Sequence, residues 1–142
     1  MNISLTFWQK MLLTAICFGI AVYCFILKLP SAFRQYDKEL HALFYFMAAA
    51  FLNILFAKRN LLLHSIIFGG LYVFGMAIEH GQVLSKKLWH IPHGRYDPED
   101  VRANLTGLAV FSVVWMLLIG LSMLFKRNKE AMPAPPGNFD PY

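Results

Sequence analysis

The stretch Gly94–Gly107, GRYDPEDVRANLTG, sets Arg95, Asp97, Asp100, Arg102 and Asn104 immediately ahead of the apolar run LAVFSVVWMLLIGLSMLF. From Ala103 to Phe125 the chain carries no Lys, Arg, Asp or Glu, and the same holds from Met11 to Leu27, from Leu40 to Ala57 and from Asn60 to Ile78. At 1.5 Å rise per residue, each window approaches the length a helix needs to cross about 30 Å of hydrocarbon. A soluble helical domain would interrupt such windows with polar residues at every turn, whereas these are apolar nearly all round. The 142 residues, 58% apolar and 15% charged, fit one membrane domain. The expected fold is therefore all-α: an integral membrane bundle of four transmembrane helices over about 11–29, 39–57, 60–79 and 103–125. It fills residues 1–128 and is followed by a Pro-rich tail, 129–142.

The first window also has features of a secretory signal, since Lys10 precedes an apolar run. Its end, CFILKLP, lacks a small-x-small cleavage pattern, so it reads as a retained span. Cys17 and Cys24 lie seven residues apart on that helix, about 10 Å along its axis, too far to bridge each other. They read as packing or lipid-facing thiols.

The net charge of +5 reflects loop placement in a chain of this class, and no nucleic-acid partner is expected. Four spans place the N-terminus, the Lys58–Arg59 turn and the C-terminal tail on one side of the membrane. Lys and Arg number six on that side and seven on the other, so counting does not orient the chain. The tight clusters AKRN and FKRNK abut helix ends as cytoplasmic anchors do, which favours cytoplasmic termini. The short AKRN link makes the second and third helices antiparallel neighbours. Between the third and fourth lies the one long connection, from about His80 to Asp100, whose KKLWHIPHGRYDPED suits a bilayer interface.

Polar residues gather at the ends of these spans. Asp37 and His41 stand one turn apart at the start of the second, beside Lys38, and helix N-terminal placement would by itself accommodate Asp37. Glu79 and Gln82 share a face where the third closes. Asp100, Asn104 and Gly107 form a stripe opening the fourth, behind Asp97 as N-cap and Pro98 in the first turn. The topology brings all three ends to one side, so Asp37, Lys38, His41, Glu79, Gln82, Arg95, Asp100 and Asn104 can converge. Ionisable groups at membrane depth persist mainly when paired or lining a hydrated cavity, which marks this cluster as a ligand-binding or structural site. A buried network with Arg95 bridging carboxylates is the structural alternative.

These blocks, DKELH, GMAIEHGQ and GRYDPEDVRANLTG, resemble the VanZ-like family of small bacterial membrane proteins, whose pattern is similar to D-K-x-x-H, G-x-x-x-E-x-x-Q, then G-R and D-x-x-x-N-x-x-G. Asp37, Lys38, His41, Gly75, Glu79, Gln82, Arg95, Asp100, Asn104 and Gly107 occupy the matching positions, within about half of the chain. The resemblance implies a bacterial inner-membrane protein of the cell envelope, in a family whose namesake is linked to teicoplanin resistance. It implies no particular reaction.

Other signals carry less. His90 and His93 form an H-x-x-H near His80 and Asp97, but no second motif supports a metal centre, and neither metal nor cofactor is expected. His64 reads as a helix-to-helix hydrogen bonder, and Gly69, Gly70 and Gly75 as close-packing positions. The NLT triplet at Asn104 begins a span and cannot serve as a glycan acceptor.

Three functions follow from the cluster. In the favoured one, the protein is an accessory or structural subunit of a cell-envelope membrane complex, its tail contacting a membrane-protein partner. Alternatively the cluster recognises a lipid headgroup or lipid-linked cell-wall precursor, with Lys38 and Arg95 as donors. A membrane enzyme would use His41, Asp37 and Glu79 for acid/base chemistry; the chain lacks a G-x-S-x-G nucleophile motif.

Overall fold

A computed structural model of the chain describes residues 5–26, 36–89 and 96–131. The described residues are helical apart from short connections: α1 (Phe7–Ile26), α2 (Asp37–Leu52) continuing into a π-helical segment (Asn53–Ala57), α3 (Leu61–Trp89) and α4 (Pro98–Ala131). Three helices are long and apolar enough to cross a membrane, over Asp37–Ala57, Leu61–Leu84 and Pro98–Asn128. The apolar Phe7–Tyr23 part of α1 is shorter. The chain divides into two compact units, Met1–Phe111 and Ser112–Tyr142. The described part of the second is the remainder of α4, and the features below belong to the first.

Local chemistry accounts for the helix starts. Thr6 and Gln9 open α1 with a capping box: Gln9 N–H donates to Thr6 Oγ1 at 3.3 Å and Thr6 N–H to Gln9 Oε1 at 2.8 Å. Asn60 caps α3, its Oδ1 accepting from Leu63 N–H at 3.1 Å. Asp97 caps α4 as its sequence position suggests, its Oδ1 accepting from Glu99 N–H at 2.9 Å, with Pro98 as the first helical residue. At α2 the cap position is Tyr36, which makes no side-chain capping bond, and Asp37 is the first helical residue.

The buried stripe of α2 runs His41, Tyr45, Ala48, Ala49 and then Asn53, at helical spacing. At its far end the backbone loosens into the π segment, where Lys58 N–H donates to Asn53 O at 3.0 Å, five residues back. Lys10 of α1 donates to the Leu55 carbonyl there at 2.8 Å and lies over the Phe56 ring. Asn53 is buried between helices: its Nδ2 donates to Ala49 O at 2.8 Å and its Oδ1 accepts from His64 Nδ1 at 2.8 Å. His64 thus bonds across helices as its sequence setting predicts. Lys58, at φ 51°, turns the chain through the left-handed region into α3. Aromatic edge contacts fill the space between helices, Phe18 against Phe74 at 5.1 Å and Phe46 against Phe111 at 5.6 Å.

α3 continues to Trp89, ten residues beyond the expected close at Glu79. Gly81 is the weakest helix former in that extension, and Gln82, Leu84, Lys86, Lys87 and Leu88 favour the helix. The cluster residue Glu79 therefore sits well inside a helix.

Candidate functional site

α4 comes very close to the backbone of α2 at Gly107. A Cβ placed there would overlap the Ala42 carbonyl oxygen and stand 2.9 Å from its carbonyl carbon and 3.1 Å from Ala42 Cα. Gly75 makes a second close approach, from α3, where a Cβ would meet Asn104 Nδ2 and Tyr45 Oη at 3.0 Å. Gly69 and Gly70 have nothing within 4 Å of such a Cβ, so of the three glycines expected in close packing, Gly75 alone fills that role.

These approaches bring the polar ends of α2, α3 and α4 together. Lys38 Nζ donates to Asp100 Oδ1 at 2.9 Å and to Asp97 Oδ2 at 3.0 Å, and lies 3.3 Å from Glu99 Oε2. Deeper in, His41 Nδ1 meets Asn104 Oδ1 at 2.9 Å, both residues buried. Since an amide oxygen only accepts, His41 Nδ1 carries the proton. Glu79 is fully buried, and its Oε2 accepts from Asp97 N–H at a long 3.5 Å. Its charge acts on Asp100, His41 and Asp97, which places it against the same group. Asp37, His41 and Asp100 each offer a ligand atom, all within 4.8 Å of one another. Gln82 is half-buried one turn beyond Glu79. Arg95, the H-x-x-H and most of the α3–α4 connection lie outside the described residues, as does the tail from 132 onward.

No family model, curated protein or solved structure matches this chain. The site must be read from its own geometry.

Asp37, Lys38, His41, Glu79, Asp100 and Asn104, drawn from three separate segments of sequence, form one group. Tyr45 joins it without having been expected. It is 1% exposed, its Oη finds no hydrogen-bond partner among the described residues, and its hydroxyl feels the Glu79 charge. The signal was its position four residues after His41, on the same face. Glu79 Oε1 is likewise buried without a partner among the described residues. Two orphaned polar atoms among the described residues of one cluster, one of them a hydroxyl able to donate, are unusual, because buried polar atoms normally find partners.

Asp97 stands at the solvent-accessible edge. The Glu99 backbone N–H and then the Lys38 ammonium hold its carboxyl below the ordinary carboxylate value. Its folded pKa being depressed, the stabilisation is present above about pH 4 and disappears as pH falls through the lowered folded value. Asp97→Asn keeps a good cap and removes the charge. In detergent, the wild-type melting temperature should exceed that of Asp97→Asn at neutral pH, and the gap should close as pH falls from about 4 through the lowered folded value. A gap that is constant over that range would contradict this assignment.

Proposed function

We propose that the chain is a VanZ-like protein of the bacterial inner membrane that crosses it four times, α1 included, with cytoplasmic termini. In this reading it acts as an accessory or structural subunit of a cell-envelope complex. The spacing of the three sequence blocks supports the family, and so does the meeting of their residues in one cluster. The accessory role rests above all on how the polar groups are turned on each other: Lys38 toward Asp97, Glu99 and Asp100, His41 toward Asn104. Such a network fastens helix ends together, and Lys38, which a headgroup phosphate would need as a partner, is already held by acids. The large exposed apolar surface of α1, with Trp8 79% exposed, suits lipid or a neighbouring membrane helix.

A headgroup-binding role is the second reading, favoured by the part-exposed rim of the cluster at Lys38 and Asp97. Purification from the native membrane in mild detergent, with mass spectrometry of co-purifying proteins and lipids, separates the two. The accessory role predicts a stoichiometric protein partner that is lost when residues 129–142 are removed. A lone protein carrying one lipid class, released by Arg95→Ala, would replace it with the binding role.

A further inference from the structure

We infer that Asp37, His41 and Asp100 form a binding site for a divalent transition-metal ion of the zinc type. This goes beyond the accessory role and does not depend on it.

The ligand atoms of the three residues fall within 4.8 Å of one another. In a tetrahedral zinc site, with bonds of about 2.0–2.2 Å, ligand atoms stand roughly 3.3–3.6 Å apart, so side-chain movements of up to about 1.5 Å close the set around an ion. The sequence supports the arrangement: Asp37 and His41 are one turn apart on α2, and Asp100 comes from the first turn of α4. One imidazole with two carboxylates suits zinc or a neighbouring transition ion over magnesium or calcium, which favour all-oxygen sites.

Three observations independent of that spacing point to a cation. First, His41 Nδ1 donates to Asn104 Oδ1 at 2.9 Å, which leaves the ring lone pair on Nε2. That is how metal-ligating histidines are commonly oriented, and it makes Asn104 a positioning residue. Second, Glu79 Oε1 is buried in a fully buried side chain and has no partner among the described residues. An acceptor without a donor is explained by a cation beside it. Third, Asp37, Glu79, Asp97, Glu99 and Asp100 gather where, among the described residues, Lys38 is the cation that meets them. Excess negative charge near hydrocarbon is costly, and a divalent ion would offset it.

The test uses the full-length protein in detergent, stripped with chelator and titrated with Zn2+, with bound metal measured by elemental analysis and affinity by competition with a chromophoric chelator. Removing the loop histidines with His90→Ala and His93→Ala excludes a competing site. In that background one zinc per chain is expected. Asp37→Asn and Asp100→Asn should each weaken binding at least tenfold, and Asn104→Ala by about 10- to 100-fold, as for other hydrogen-bond partners that orient zinc-ligating histidines. Asp37 is half-buried and Asp37→Asn keeps its shape, so unchanged helicity and monodispersity establish that this variant folds. Zinc retained at full affinity by folded Asp37→Asn would overturn the site, and so would zinc lost with the two loop histidines alone. Because binding is read on the isolated chain, the metal site and the accessory role fail separately.

Discussion

Replacing Gly107 with alanine should destabilise the protein by about 3 kcal/mol or more, the upper part of the range for overpacked cores. A Cβ at this position meets the carbonyl group and Cα of Ala42, and backbone atoms inside a helix cannot step aside as a side chain can. Relief requires α2 and α4 to separate, which would pull Lys38 from Asp100 and His41 from Asn104. Gly75→Ala provides the gradation. Its new methyl would press on Asn104 Nδ2 and on the Tyr45 hydroxyl at 3.0 Å, side-chain groups able to yield a few tenths of an ångström, and about 1 kcal/mol is expected. Gly69→Ala meets nothing within 4 Å and should gain roughly 0.5–1 kcal/mol from helix propensity. Unfolding in mixed micelles with increasing sodium dodecyl sulfate, followed by circular dichroism, ranks the three variants. Gly107→Ala as stable as Gly69→Ala would mean that α2 and α4 do not approach here.

Asn104→Leu is the second large effect. The substitution keeps the number and branching of side-chain heavy atoms but removes the acceptor of the His41 Nδ1 proton, in a place where both side chains are at most 5% exposed. A broken hydrogen bond between transmembrane helices costs on average under 1 kcal/mol, because the unfolded chain in a micelle also finds partners. Leaving a donor buried without an acceptor adds to that, so about 1–2 kcal/mol is expected. His41→Leu in the Asn104→Leu background should recover part of the loss, giving a coupling of about 1 kcal/mol in a double-mutant cycle. Strict additivity of the two substitutions would rule out the bond as a stabilising contact.

The polar residues made much of this site legible. Within a span apolar on every side, hydrophobicity cannot say which face is inside, whereas Asp100, Asn104 and Gly107 at spacings of four and three can, because lipid rejects the first two and rewards nothing at the third. The structure buries all three on one stripe of α4. The i, i+4 spacing of Asp37 and His41 was equally informative. Tyr45 escaped notice because a tyrosine among the phenylalanines and leucines of LFYFMAAAFL looks like any other aromatic, and only its packing against Gly75 reveals the role. The length of α3 beyond the expected span has a related reason. Loss of apolarity after Ile78 marks where a helix leaves hydrocarbon, not where its hydrogen bonds stop, so α3 runs on through His80, Lys87 and Leu88. The π segment has no local signature in NILFA at all; it follows from contacts that Asn53 and Leu55 make with other helices.

That segment also restricts how the chain can change length. A π turn holds one residue more than the α-helix around it, and each residue of an α-helix turns the chain by about 100°. Deleting a single residue between Asn53 and Ala57 would restore regular winding and rotate the rest of α2 by that angle relative to the turn at Lys58. With the turn in place, Asp37, His41 and Tyr45 would swing off the face shared with α4; with that face kept, Asn53 would lose His64. The inserted residue is the phase correction that lets one helix keep both appointments, and deletions here should be far less tolerated than substitutions of the same side chains.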